Sequence, residues 1–222
     1  MLNYDVVIPA WNAEATLIEA IASVRAQTVP PDRIIVVDDG STDQTAKLAL
    51  TAGAEVFSQS NTGPGAATTR GMAMASATVL AFVDADDLWL PNKMERQMAV
   101  LAAAIGPTAV TSQQRQFRHG QFDDGTGEVR PGLNRSSLIL PLDLARNVGP
   151  IIDPEGGRGD MIDWLRRVRS SGIVIHEIDE VLALRRIMPG SLSYGRDPLR
   201  DRGYLAVAHA ALSAKRRNPN NL

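Results

Sequence analysis

Along the first hundred residues the apolar positions change period repeatedly, passing from short β-rich runs to helical stripes and back. Residues 6–10, 33–37, 54–58 and 78–83 are predicted strands, each rich in apolar or β-branched residues. Between the first two, Leu17, Ile21 and Val24 stand at i, i+4 and i+7, the stripe of an amphipathic helix. Pro91 is placed in the first turn of a further helix whose buried face is Met94, Met98, Leu101 and Ile105. Strands alternating with helices predict the α/β class, a mostly parallel Rossmann-like sheet flanked by helices. From 107 to 158 the period is lost, and Gly, Asp and Arg around 120–132 predict a long polar loop. Order returns at 160–169 as an Arg-rich helix, then at 173–175 and 181–184 as two strands. No internal repeat or linker divides the chain, so one domain is expected.

Composition narrows the class. At 222 residues and 44% hydrophobic content the chain can bury a substantial core, and a net charge of -2 offers no general attraction for nucleic acid. The absence of cysteine rules out disulfides, thiolate zinc sites and a thiol nucleophile, and suits a reducing cytoplasm. The start, Met1-Leu2-Asn3-Tyr4-Asp5, is unlike a signal peptide, and no apolar run approaches the roughly 20 residues that span a bilayer. A cytoplasmic location is therefore expected, with at most peripheral contact with the inner face of the membrane. Lys215-Arg216-Arg217, after a helix-prone stretch at 205–214, is read as a solvated helix end, with anionic lipid or a second subunit of a homodimer as the alternatives.

In open α/β sheets ligands bind beyond the carboxyl ends of the strands. Three such ends carry polar chemistry: Pro9-Ala10-Trp11-Asn12, Asp38-Asp39-Gly40-Ser41 and Asp84-Ala85-Asp86-Asp87. The last places three acids within four positions, which repel unless a cation joins them, and a divalent metal shared with a phosphorylated substrate is the simplest partner. At the second, Ser41 or Thr42 caps a helix in the plainer reading. A carboxylate there also suits the ring N–H of a nucleobase, and Asp39 is favoured for it. Asn61-Thr62-Gly63-Pro64-Gly65 enters a helix of small residues, either as a packing device or as a phosphate cradle. Asp160, after Gly156-Gly157-Arg158-Gly159, either complements a helix dipole or acts as a general base, whereas Asp163 and Trp164 read as structural. His119, His176 and His209 form no ligand or triad spacing, and no Gly-x-Ser-x-Gly elbow supports serine hydrolysis.

Taken in order, Val7-Ile8-Pro9-Ala10-Trp11-Asn12, Val36 to Asp43, Asn61-Thr62-Gly63 with Ala66-Ala67 and Gly71, and Asp84 to Pro91 with Lys93 resemble the family 2 glycosyltransferases of A-type (GT-A) fold. Weaker echoes in Val148 to Asp153, in Gly159-Asp160 to Arg166 and from Arg185-Arg186 to Ser193 extend the resemblance to about residue 193. It implies a GT-A domain over 1–195, with a nucleotide-sugar half at 1–105, an acceptor half at 106–195 and a helical tail at 196–222. It further implies that Pro9, Ala10 and Trp11 border the nucleotide, that Asp39 holds the base, and that Asp84 and Asp86 form the Asp-x-Asp element, with Asp86 ligating Mn or Mg. Asp160 takes the place of the acid that deprotonates the acceptor hydroxyl. Three departures stand out: Gly159 replaces an acid common before that base, Thr68 replaces an Arg, leaving Arg70 for the phosphate, and Met188 replaces a histidine. The implied activity is inverting transfer from a nucleotide-diphosphate sugar, UDP-linked, to an acceptor hydroxyl on a saccharide, lipid-linked sugar or small molecule. A nucleotidyltransferase and a non-catalytic sugar-nucleotide-binding subunit are the alternatives. The former lacks its usual basic Gly-rich loop here, and the departures at Thr68 and Met188 leave the latter open.

Overall fold

The strands β1 (Tyr4–Ala10), β2 (Arg33–Asp38), β3 (Glu55–Ser58) and β4 (Val79–Phe82) form the parallel half of a twisted sheet. In this computed structural model the described residues are 2–189, 195, 197–199 and 201–204. Every residue of β1 is buried because both sheet faces are covered, which is why the run carries no polar alternation. Val6 and Ile8 face one side, against α1 (Leu17–Arg25), α2 (Thr45–Thr51) and α4 (Lys93–Ala103). Val7 faces the other, against α3 (Pro64–Met74), α5 (Leu142–Val148) and α6 (Asp160–Ser170). Three layers result, helices on both faces of the sheet.

The second half extends the same sheet through β5 (Leu88–Trp89), β6 (Thr108–Arg118), β7 (Val129–Pro131), β8 (Ile139–Pro141) and β9 (Val174–Ile187). Among the described residues the order is β3-β2-β1-β4-β8-β6-β9-β5, with β7 on β6. Antiparallel β8 joins β4 to β6, and β6 runs parallel to β9.

Several expectations are corrected here. The loop expected around 120–132 is present at 119–128 but is closed by the short strand β7, and the period lost over 107–158 hides β6, β8 and α5, with irregular chain left also at 132–138 and 149–159. Strand β6 escaped notice because Ser112 and Gln114 are polar yet buried, so the apolar period breaks. The two strands expected at 173–175 and 181–184 are one, β9, with a register irregularity opposite Ser112–Gln114. Met94, Met98 and Leu101 are buried as expected, but Ile105 lies beyond α4 and is fully exposed, and Pro91 precedes the helix by two residues. The tail at 205–222, including Lys215-Arg216-Arg217 and His209, lies outside the described residues, as does Ser193.

The approach of α3 to β1 is set by Gly71, where a Cβ would stand 2.3 Å from Val7 Cγ1. Gly71→Ala is therefore expected to lower stability by about 1–3 kcal/mol, measured by urea unfolding, because the buried Val7 has little room to move.

Candidate functional site

Strand β1 is followed by Trp11-Asn12, and Asn12 takes a left-handed turn with φ 46°. Its N–H donates to Ser41 Oγ at 2.9 Å and its Oδ1 accepts from the Thr42 N–H at 2.9 Å, so the turns after β1 and β2 are tied together. Ser41 and Thr42 thus brace a neighbouring turn rather than cap α2. That helix instead has Thr45 N–H donating to Asp43 Oδ1 at 2.9 Å. Trp11, 57% exposed, stands at the rim.

Asp38 and Asp39 diverge after β2. Asp38 turns back on its own turn, accepting from the Ser41 N–H at 3.2 Å. Asp39 is buried and faces the loop before α3: Oδ1 accepts from Gln59 Nε2 at 2.8 Å and the Thr62 N–H at 2.9 Å, and Oδ2 accepts from the Gly63 N–H at 2.8 Å. Those bonds leave acceptor capacity on Oδ2 alone.

The N-terminus of α3, where a phosphate was one expectation, already holds an anion. Asp153 accepts from the Gly65 N–H at 2.8 Å and the Ala66 N–H at 2.9 Å, and burial raises its carboxyl above the usual range. Gly63, at φ 105°, makes room for it, since a Cβ there would lie 2.6 Å from the Asp153 carboxylate. Arg70 does not reach the cavity: its Nη1 donates to the Ser58 carbonyl at 2.7 Å. Thr68 is buried, its hydroxyl donating to the Pro64 carbonyl at 2.6 Å.

The three acids after β4 separate into different environments. Asp87 is buried, accepting from Ser136 Oγ at 2.5 Å and from the Arg186 N–H at 2.9 Å, while burial and Asp86 push its carboxyl up strongly. Asp86 receives no side-chain hydrogen bond from another described residue, and burial together with Asp84 pushes it up to about 6. Asp84 Oδ1 accepts from Arg135 Nη1 at 2.5 Å, and the same guanidinium donates through Nη2 to Asp160 Oδ2 at 2.5 Å. Arg135 is buried, and the two carboxylates raise its pKa against the opposing effect of burial. One planar cation thus joins a carboxylate after β4 to one at the start of α6.

Asp160 is the first residue of α6, and Gly159 before it has φ 105°, a conformation L side chains rarely adopt. Asp163 and Trp164 are structural: Asp163 pairs with Arg166 and Arg167, and the Trp164 indole donates to the Gly149 carbonyl at 2.9 Å. The end of β9 contributes Arg186, whose Nε donates to the Asp86 carbonyl at 2.8 Å and whose Nη2 pairs with Glu19 at 2.6 Å. Arg185 and Met188 lie beside it at the cavity wall.

These groups surround one cavity of 1360 Å³. Of the residues singled out from sequence, Pro9, Ala10, Trp11 and Asp39 line one part, and Asp84, Asp86 and Asp160 another. His119 and His176 do not line it. Sequence reasoning missed Arg135 and Asp153 as site residues. Asp153 stood at the end of the Val148 to Asp153 echo without a role of its own, and Arg135 had no signal beside it; only the folded chain brings both to the cavity.

Comparison with known proteins follows this geometry. The sequence model of glycosyl transferase family 2 matches residues 5–135. An uncharacterized glycosyltransferase of Nostoc sp., alr2836, is 37% identical over 105 residues, covering 45% of this chain and 33% of that protein. The Escherichia coli UDP-Glc:alpha-D-GlcNAc-diphosphoundecaprenol beta-1,3-glucosyltransferase WfgD is 35% identical over 101 residues, 44% of this chain and 40% of that one. The chain therefore spans less than half the length of these relatives. Among solved structures, Staphylococcus aureus TarS 1-349 in complex with UDP has a TM-score of 0.69 at 18% identity, covering 85% of this chain and 61% of that one. Mycobacterium tuberculosis glucosyl-3-phosphoglycerate synthase, with Mn2+, UDP and phosphoglyceric acid, has a TM-score of 0.65 at 22% identity, covering 94% and 78%. These structures share the fold.

Proposed function

Because this chain belongs to glycosyl transferase family 2, we propose that it moves a sugar from a UDP-linked donor to an acceptor hydroxyl, with inversion at the anomeric carbon. The observation that carries this reading is the Arg135 bridge, which sets Asp84 on the donor side and Asp160 on the acceptor side of one cavity. A UDP-linked donor is supported by WfgD, whose name specifies UDP-Glc, and by the UDP bound to both structural neighbours. The division into a donor half at 1–105 and an acceptor half at 106–195 follows, since Asp39, Asp84 and Asp86 fall in the first and Asp160 in the second.

The residues present fit a divalent cation. Among the described residues six Asp and four Arg line the cavity, and Asp86 offers hard oxygen donors that no other described side chain occupies. Among the described residues no group of three or more His, Asp or Glu forms a complete cage, and the Met188 thioether is a poor ligand for Mg or Mn. Asp86, with Asp84 beside it, would therefore hold an ion that takes its other ligands from phosphate and water. The mycobacterial synthase is described with Mn2+ or Mg2+ beside UDP, which supports the same choice. When bound, such an ion supplies Lewis-acid neutralisation of the leaving diphosphate.

The remaining work falls to the chain itself. Asp39 and the turn after β1 orient the nucleotide in the cavity between them, with Oδ2 of Asp39 facing the base. Asp160 accepts the acceptor's proton at its free carboxylate oxygen as the acceptor oxygen attacks the anomeric carbon. The bond to the diphosphate breaks on the opposite face, so a single displacement inverts the configuration. Arg135 holds the Asp160 carboxylate in place by its other oxygen.

Asp86→Asn tests the donor half of this reading. Calorimetric titration with UDP is expected to show strong Mn2+-dependent binding to the wild-type chain and none to the variant. Equal affinity in both would refute the assignment.

A further inference from the structure

Behind the catalytic cavity lies a buried ammonium that the transfer reading does not use. Lys93 is fully buried in the first turn of α4, and no carboxylate pairs with it among the described residues. Its Nζ donates to Gln97 Oε1 at 2.6 Å and sits 4.0 Å from the centroid of the Trp89 ring. Desolvation pushes this lysine well below its ordinary value, so the slot disfavours the charge it contains. A methionine of similar length would fill the same space without that penalty.

What the ammonium does is orient these two neighbours. With Oε1 of Gln97 committed to Lys93, the amide Nε2 must face the other way. There it donates to the Ser137 carbonyl at 2.7 Å and the Val110 carbonyl at 3.2 Å. The Trp89 indole N–H donates to the Ser136 carbonyl at 2.7 Å. Both side chains therefore end on the short 3-10 turn Arg135–Ser137. Ser136 Oγ adds a third tie, accepting from the Asp84 N–H at 3.1 Å and donating to Asp87. Arg135, at the start of this turn, is the residue that spans Asp84 and Asp160.

We propose that Lys93 is a positioning residue for sugar transfer: with Trp89 and Gln97 it forms a buried clamp on the turn that carries Arg135, and so aligns Asp84 with Asp160. The inference rests on the transfer reading above. Without Lys93 the buried Gln97 Oε1 loses its donor, and an amide no longer held from that side grips the Ser137 and Val110 carbonyls less firmly.

Lys93→Met and Gln97→Glu test it in the full chain. The carboxylate introduced by Gln97→Glu keeps the contact with Lys93 but has no N–H to give Ser137. In both variants the amides of residues 134–138 are expected to exchange with solvent at least about tenfold faster. The kcat for release of UDP from UDP-glucose with Mn2+ is expected to fall about 10- to 100-fold, with KM nearly unchanged. Unchanged protection at 134–138, or protection lost throughout the core with a lowered melting temperature, would overturn the clamp. Faster exchange there with an unaltered kcat would overturn the positioning role alone. A wild-type chain that neither binds nor releases UDP would overturn both this role and the transfer reading.

Discussion

Asp160→Asn is expected to lower sugar transfer by about 10²- to 10⁴-fold, the range a positioned general base contributes, while leaving Mn2+-dependent UDP binding intact. The physical argument is that Asn keeps an oxygen able to accept from Arg135 Nη2, so the bridge to Asp84 survives while the proton acceptor is lost. Steady-state turnover and calorimetry on the same preparation separate the two effects. Full turnover in the variant would remove Asp160 from the chemistry, and lost UDP binding would assign it to the donor side instead.

Arg135→Met carries the second large effect, on stability as well as activity. It leaves Asp84 and Asp160 partly buried without their shared cation, and breaking a buried ion pair from one side costs about 3–5 kcal/mol. Because Asp84 is about one-third exposed, water softens its share, and the lower end of that range, about 3 kcal/mol, is expected in urea unfolding at neutral pH. Arg135→Lys restores a charge but not the fork that reaches two carboxylates at once, so it should recover stability better than turnover. Wild-type stability in Arg135→Met would mean that the two carboxylates do not depend on their shared cation.

The legible parts of the site share one property: their chemistry is local in sequence. Asp39, Asp84 and Asp86 each follow an apolar run, and the end of a parallel strand is where such a sheet places its ligand. Legibility failed for polar side chains whose only signal was a partner far along the chain. Gln114 is buried in β6 because Asn134 donates to it at 2.6 Å, and Asp153 lies on the α3 N-terminus, 87 and 88 positions from its amide donors. A period of apolar residues does not register such pairs. Arg70 failed for the complementary reason, since a cation near a Gly-rich loop suits phosphate only if the helix points it there, and here it faces the Ser58 carbonyl.

Taken alone, the sequence determined the alternation of strands and helices, the three polar strand ends and the family to which they belong, because buried runs and turn residues act over a few positions. Only the tertiary structure decided which acids are paired and which are free. Arg135 reaches 51 positions back to Asp84 and 25 forward to Asp160, and Lys93 steadies that reach through Gln97 and Ser137. Electrostatic partnership depends on distance and solvent exclusion, and both are properties of the folded chain.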